Sequence, residues 1–195
     1  MARKSGTRAE DTGAKIRATA LELFSEHGFD AVSMRQMAGA VGVQAGAIYL
    51  HTKDKQTLLC ALMVDFLEAR QLAVKALDLS GSPNASMKSF VHFHIDFHRA
   101  HAVADQLVRN EARALSPENA AIVADYARQY EDVLNGLLEL GREADAFHVP
   151  DVSLISQAIL TLLSGIEPWR HQHSSFETEK LSRIYENMVR RILKS

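Results

Sequence analysis

The sequence predicts an all-α fold of about nine helices. A three-helix helix-turn-helix domain over residues 1–55 precedes a larger helical domain over 56–195. Three observations carry this. Apolar residues recur at helical spacing from residue 16 to residue 192, with no alternating strand pattern and no internal repeat. Only four prolines interrupt 195 residues, which suits long helices. The stretch 33–55, SMRQMAGAVGVQAGAIYLHTKDK, reads as two short helices joined by a tight turn.

The first helix is expected near Asp11–His27, with Ile16, Ala20, Leu23 and Phe24 on one face and Gly28 ending it. Arg3, Lys4 and Arg8 lie in a polar terminus that is either a solvated arm or a reach toward phosphates. Ser33 is a good N-cap for the second helix, whose buried face is Met34, Met37, Ala38 and Val41. Gly42 supplies the left-handed turn. The third helix, Gln44–Leu50, contains Ala45, Gly46 and Ala47, small residues that leave the backbone thinly covered. In helix-turn-helix logic this helix presents its N-terminal end to the major groove.

A long helix follows over Lys53–Leu79, through Leu58, Leu59, Leu62, Phe66, Leu67, Val74 and Leu77. Ser80–Asn84 breaks it. Further helices are expected at Ala85–His101, at Val103–Ala114, and from beyond Ser116-Pro117 to Gly141 or slightly later. A turn at Phe147–Asp151 leads to a helix over Val152–Ile166. Ser174-x-x-Glu177 resembles a capping box for the last helix, with Leu181, Ile184, Tyr185, Met188, Val189 and Ile192. The last two helices are apolar on more than one face, which predicts a four-helix homodimer interface.

Composition is that of a soluble globular chain, 47% hydrophobic and 24% charged. No apolar run approaches the ~18 residues of a membrane span, and MARKSGTRAEDTG lacks the apolar core of a secretory signal. Cys60 is alone, which excludes an intramolecular disulfide framework and fits a reducing cytoplasm. Net charge is −2, split unevenly: residues 1–55 hold 8 Lys+Arg against 6 Asp+Glu, and residues 56–195 hold 14 against 18. A mildly basic head on an acidic body suits a DNA reader with a second domain of another kind.

The stretch Ser33–Lys55 resembles the DNA-binding domain of the TetR family of bacterial transcriptional regulators. Ser33, Met37, Ala38, Gly42, Val43, Gly46, Ile48, Tyr49, His51, Lys55 and Leu58 fall in register with that family's run, over about residues 12–60. Thr52 stands where the family usually has phenylalanine, and Ala45 where lysine is common. The resemblance implies a ligand-responsive, DNA-binding regulator, a repressor that is not an enzyme and needs no cofactor. Its partners are a double-stranded palindromic operator, a second copy of itself and a small apolar effector. Tyr49, His51 and Lys55 would hold phosphates, Gln44, Ala45, Gly46, Ala47 and Leu50 would face the groove, and Ser33, Arg35 and Gln36 would touch the DNA backbone.

The second domain of this family binds the effector, and the expected wall is Phe66, Phe90, Phe97, Tyr126 and Tyr130, with His94 and His101 as hydrogen-bonding groups. The stretch Arg109-Asn-Glu-Ala-Arg-Ala-Leu-Ser-Pro-Glu118, with Gly165 and Trp169, resembles the subgroup that answers to acyl-CoA thioesters. There Arg109, Arg113 or Arg170 would pair the phosphates. The opposing reading is a helical metal-binding protein or metalloenzyme. Phe90, Phe97, His94, His98 and His101 share a face of one helix, and His94 and His98 have a chelating i, i+4 spacing.

Overall fold

The computed structural model describes residues 5–165 and 177–194, with side chains from residue 11. Among the described residues there are nine α-helices, one 3-10 turn and no strand. They are α1 Ser5–His27, α2 Met34–Val41, α3 Ala45–Ile48, α4 Lys55–Lys75, α5 Pro83–Ala100, α6 Ala102–Glu111, the 3-10 turn Ala112–Ala114, α7 Pro117–Glu143, α8 Val152–Ser164 and α9 Thr178–Ile192. Arg3, Lys4, Ile166, Trp169, Arg170 and Ser174 lie outside the described residues, as does the side chain of Arg8.

The chain divides into two compact units, one of Met1–Leu67 with Val103–Asp125 and one of Glu68–Ala102 with Tyr126–Ser195. This partition differs from a single cut at residue 55, because a segment beyond residue 100 belongs with the N-terminal helices.

In the first unit α1 packs on α2 and α2 on α3. The buried side chains are those the periodicity marks, among them Ile16, Phe24, Met37, Val41, Ile48 and Leu59. Gly28 (φ +82) and Gly42 (φ +81) end α1 and α2 in left-handed conformation, where a Cβ is strained. The amides of Gly42 and Val43 both reach the Ala38 carbonyl, at 3.0 and 2.9 Å, and close the turn into α3. The Lys15 ammonium sits on the Val41 carbonyl at 2.7 Å, which satisfies an orphan acceptor at the end of α2.

Several helix ends depart from the sequence expectation, each for a local reason. The third helix is four residues rather than seven, because the amides of Leu50 and His51 turn back to Ala47 and Ile48 as it ends. The fourth starts at Lys55 rather than Lys53, since Asp54 accepts the Thr57 amide at 2.7 Å as its cap. It stops at Lys75 rather than Leu79: Asp78 accepts from the Ser80 amide (3.0 Å) and hydroxyl (2.6 Å), an Asx turn that draws the chain out of the helix. The fifth begins at Pro83, inside the expected break, because Ser82 is the N-cap and proline is well suited to the first helical position. Thr52 is buried and donates to the Asp54 carbonyl at 3.1 Å, so a polar turn fills the place of the family's ring.

In the second unit α5 is central, packed on α8 and α9. Its core includes Phe90, Val91, Ile95, Leu134, Leu138, Ile159 and Val189. Phe147 is pressed against Gly141: a Cβ there would come within 1.8 Å of the ring. The amides of Ala146 and Phe147 both return to the Gly141 carbonyl, at 2.8 and 3.1 Å, and the His148 amide reaches the Leu193 carbonyl at 2.8 Å. The α7–α8 connection is thereby fastened to the end of α9.

Candidate nucleic-acid interface and effector cluster

The surface around α3 has the features of a groove-reading element. Tyr49 is 54% exposed and Leu50 84% exposed, a costly placement for large apolar groups in a protein with nothing to cover them. Gln44 is exposed at the N-cap and makes no side-chain cap bond. Gly46 has no left-handed φ, and a Cβ there would meet nothing within 4 Å. The fold does not require glycine at that position. Ala45 is exposed and Ala47 half-buried beside it.

The other residues expected at DNA are placed as follows. Arg35 is exposed on α2. Ser33 and Gln36 form a capping box: the Gln36 amide donates to Ser33 Oγ at 3.2 Å, and the Ser33 amide donates to Gln36 Oε1 at 2.8 Å. Both side chains hold the start of α2, and both residues are exposed. His51 is exposed, its ring 3.2 Å from where a Cβ on Gly13 would lie. Lys55 departs most from expectation. Its ammonium donates to the carbonyls of Phe29 (2.8 Å) and Val32 (3.0 Å) and lies 4.1 Å from the centre of the Phe29 ring. It braces the α1–α2 loop.

The expected effector residues fall into two sets. Phe90, His94, Phe97 and Tyr130 come together in the second unit. His94 Nδ1 is 3.0 Å from the Tyr130 hydroxyl, and the Phe90 and Tyr130 rings are 5.4 Å apart. His94 stacks on His98 at 4.1 Å, and Phe97 on His101 at 4.2 Å. His101 is exposed, with its Nδ1 2.9 Å from the Phe97 carbonyl. Tyr126 is half-buried on α7. Phe66, Arg109 and Arg113 belong to the first unit. Arg109 is ion-paired with the buried Asp105, one turn earlier, and so is engaged rather than open to a phosphate; Arg113 is exposed.

Burial pushes His94 well below the usual histidine range, and the neighbouring His98 and Arg70 add to this. Burial also raises the Tyr130 hydroxyl, so it stays protonated. When that hydroxyl donates to Nδ1, the proton of His94 is on Nε2, which is buried without a hydrogen-bond partner among the described residues. The sequence reading missed Arg70, a buried guanidinium 4.0 Å from the centre of the Tyr130 ring. Its only signal was an arginine within the apolar period of α4.

For metal binding the geometry is unfavourable. Ligand lone pairs lie in the imidazole plane, and the planes of His94 and His98 are within 13° of parallel, so they do not converge on one ion. Among the described residues no group of three or more His, Cys, Asp or Glu is placed to hold a metal. Cys60 is buried, which raises its thiol and leaves it unreactive.

Two family models match the chain. One is described as bacterial regulatory proteins, tetR family, and spans residues 16–62; the other is the tetracyclin repressor-like C-terminal domain, over residues 80–193. The regulator AcrR of Shigella flexneri is 47% identical over 58 residues, 30% of this chain and 27% of AcrR. The uncharacterised regulator YerO of Bacillus subtilis is 28% identical over 153 residues, 75% of this chain and 52% of YerO. The chain thus spans about half or less of the length of these two relatives. Among solved structures, a tetR-family regulatory protein from Rhodococcus RHA1 is 28% identical with a TM-score of 0.88, covering 94% of this chain and 97% of that one. AibR, solved in complex with isovaleryl coenzyme A and operator DNA, shares the fold at 18% identity and a TM-score of 0.81, covering 91% of this chain and 97% of AibR.

Two predictions follow from these sites. With a duplex selected in vitro by the wild-type protein, Gln44→Ala is expected to weaken binding by about 5- to 150-fold, the value of one bidentate base contact of ~1–3 kcal/mol. Gly46→Leu should abolish it while leaving the thermal midpoint unchanged; fluorescence anisotropy and a melting curve check both. Unchanged affinity in both variants would remove α3 from the interface.

The second prediction concerns pH. A histidine whose folded pKa is depressed costs stability as pH falls below the unfolded value of about 6.5, because only the unfolded chain takes up the proton. The loss has a slope of at most about 1.4 kcal/mol per pH unit and ends below the folded value. Melting temperature should therefore fall between pH 7.5 and pH 5.5, and less steeply in His94→Phe. An identical slope in that variant would show that other groups carry the dependence.

Proposed function

The chain belongs to the tetR family of bacterial regulatory proteins, and from that premise we propose that it is a homodimeric repressor released from a palindromic operator by a small apolar effector of the acyl-CoA type. The observation that carries the DNA-binding half is the exposed Gln44–Leu50 surface, with Gly46 open at its centre. Among the described residues no helix is long and apolar enough to cross a membrane.

Dimerisation is supported by apolar side chains that the subunit does not cover: Leu154 on α8 (66% exposed), and Ile184 (37%) and Met188 (43%) on α9. Leu162 packs against the core of its own subunit, so a charge there would test folding rather than association. Met188→Glu is expected to shift sedimentation toward monomer and to lower operator affinity with it, because half-sites lie ~34–36 Å apart and need two recognition helices. A dimer that survives both Met188→Glu and Ile184→Glu would place the interface elsewhere.

The effector reading is supported by the aromatic cluster of Phe90, His94, Phe97 and Tyr130, and by the likeness to AibR with its isovaleryl coenzyme A. Phe90, His94, Phe97 and Tyr130 are all buried, so a ligand that reaches them parts them from their neighbours. Such a ligand prefers the state in which they are parted and shifts the population toward it. A change from 1:99 to 99:1 needs about 5.5 kcal/mol of preference. Burial of ~200 Å2 of acyl surface at ~25 cal/mol per Å2 supplies about that much. Titration of the protein–operator complex with a panel of acyl-CoA thioesters, their free acids and unrelated apolar drugs is the test. Release by thioesters alone is expected. Release by the drugs alone, or equal release by free acids, would sink the acyl-CoA class.

A further inference from the structure

The second unit has a cavity that the aromatic cluster does not use, of about 370 Å3, between the first turns of α5 and the last turns of α9. Its floor is apolar and buried, formed by Met87, Phe147 and Leu193. The floor is also fastened: Phe147 is wedged against Gly141, and the Leu193 carbonyl accepts the His148 amide. A depression with such a floor is present before anything binds, which lowers the ordering cost of binding.

The rim is basic. Lys88 on α5 and Arg190 and Lys194 at the end of α9 line it, with Glu186 the one carboxylate among the described lining residues. Glu186 is already occupied, 2.9 Å from His92 Nε2 and 4.0 Å from the Lys88 ammonium. Arg190 donates one NH2 to Asn187 Oδ1 at 2.5 Å, which fixes the guanidinium while the rest of its fork remains to be used. The lining therefore carries three cations against one anion, on a segment (56–195) that holds 14 basic and 18 acidic residues. A local excess of positive charge over an apolar floor selects an anion with a hydrocarbon part.

The cavity also stays clear of the proposed dimer. Residues advance by about 100° along a helix, so Arg190 stands roughly 200° from Met188, on the opposite flank of α9. Association through Ile184 and Met188 leaves the cavity open.

We propose that this cavity is a second ligand site, distinct from the effector cluster, that takes a small organic phosphate ester with a short apolar group. Arg190 and Lys194 hold the phosphate, and the floor of Met87, Phe147 and Leu193 takes the hydrocarbon. The test uses the full chain and hexyl phosphate, with inorganic phosphate, hexanol and hexanoate as comparisons, followed by calorimetry. Hexyl phosphate should bind in the millimolar range or tighter, and more tightly than all three comparisons. Arg190→Gln with Lys194→Gln, both at exposed positions, should weaken it at least about tenfold, the loss expected for charge-assisted hydrogen bonds. In the unmutated protein carrying 13C-methyl methionine, the Met87 signal should move on titration and that of Met63, in the first unit, should not. Absence of binding, an affinity unchanged in the double variant, a silent Met87 methyl, or hexanoate binding as tightly as hexyl phosphate would each overturn the assignment.

Discussion

The first turn of α4 is the junction on which the first unit depends. Lys55 and Gln56 are adjacent, and a helix sends adjacent side chains about 100° apart. Lys55 reaches the carbonyls of Phe29 and Val32 in the α1–α2 loop. Gln56 faces the connection between α6 and α7: its Nε2 donates to the Ala114 carbonyl at 2.6 Å, and its Oε1 accepts the Ser116 amide at 3.0 Å. Asn119 Nδ2 returns a longer bond to the Gln56 carbonyl at 3.4 Å. One turn of helix thus satisfies backbone groups from two loops that would otherwise lack partners, and half-buried backbone groups of that kind are expensive to leave unmet. This is the physical reason that Val103–Asp125 forms one compact unit with the N-terminal helices. The body that carries the recognition helix includes α6 and the start of α7.

That junction also marks the limit of what the sequence discloses. The helix-turn-helix was legible because its signals are local: a cap at Ser33, an apolar face at Met37, Ala38 and Val41, and a glycine where φ must be positive. The same locality made the helix count and the buried faces legible. The family register assigns Lys55 a role by position, and nothing in the sequence shows the two carbonyls its ammonium meets in the folded chain. Gln56 carried no signal, since a glutamine on a helix looks the same whether it meets water or closes a loop 58 residues away. Gly141 gave a helix end, but its real requirement is the Phe147 ring laid against it.

The histidine face was legible as a face but not as chemistry. Three imidazoles within eight residues suggest a metal when only spacing is known. In the folded chain they have three different surroundings: His94 is buried on Tyr130, His98 is stacked on His94, and His101 is exposed on the back of Phe97. Spacing places residues on one side of a helix, while the groups each imidazole meets, Tyr130 of α7 for His94 and rings of α5 itself for His98 and His101, set its surroundings.

The cluster around His94 is where a regulatory protein can least be built like an ordinary core. A core in which every polar atom is satisfied and every ring packed is costly to open. Here His94 has one nitrogen held by Tyr130 and the other buried without a partner among the described residues. A buried polar group in that condition costs roughly 1–3 kcal/mol. On the proposed effector reading, that cost would be borne by the closed state and relieved when the rings part and a ligand group or water reaches Nε2. The gap between the closed and parted states is narrowed by the same amount, and the ligand has that much less to supply. Polar groups in the wall therefore favour the switch in two ways: they weaken the state without ligand, and they offer the ligand a hydrogen bond that the hydrocarbon wall cannot. On the proposed effector reading, the apolar rings would provide most of the binding surface and the unsatisfied nitrogen would help make it available.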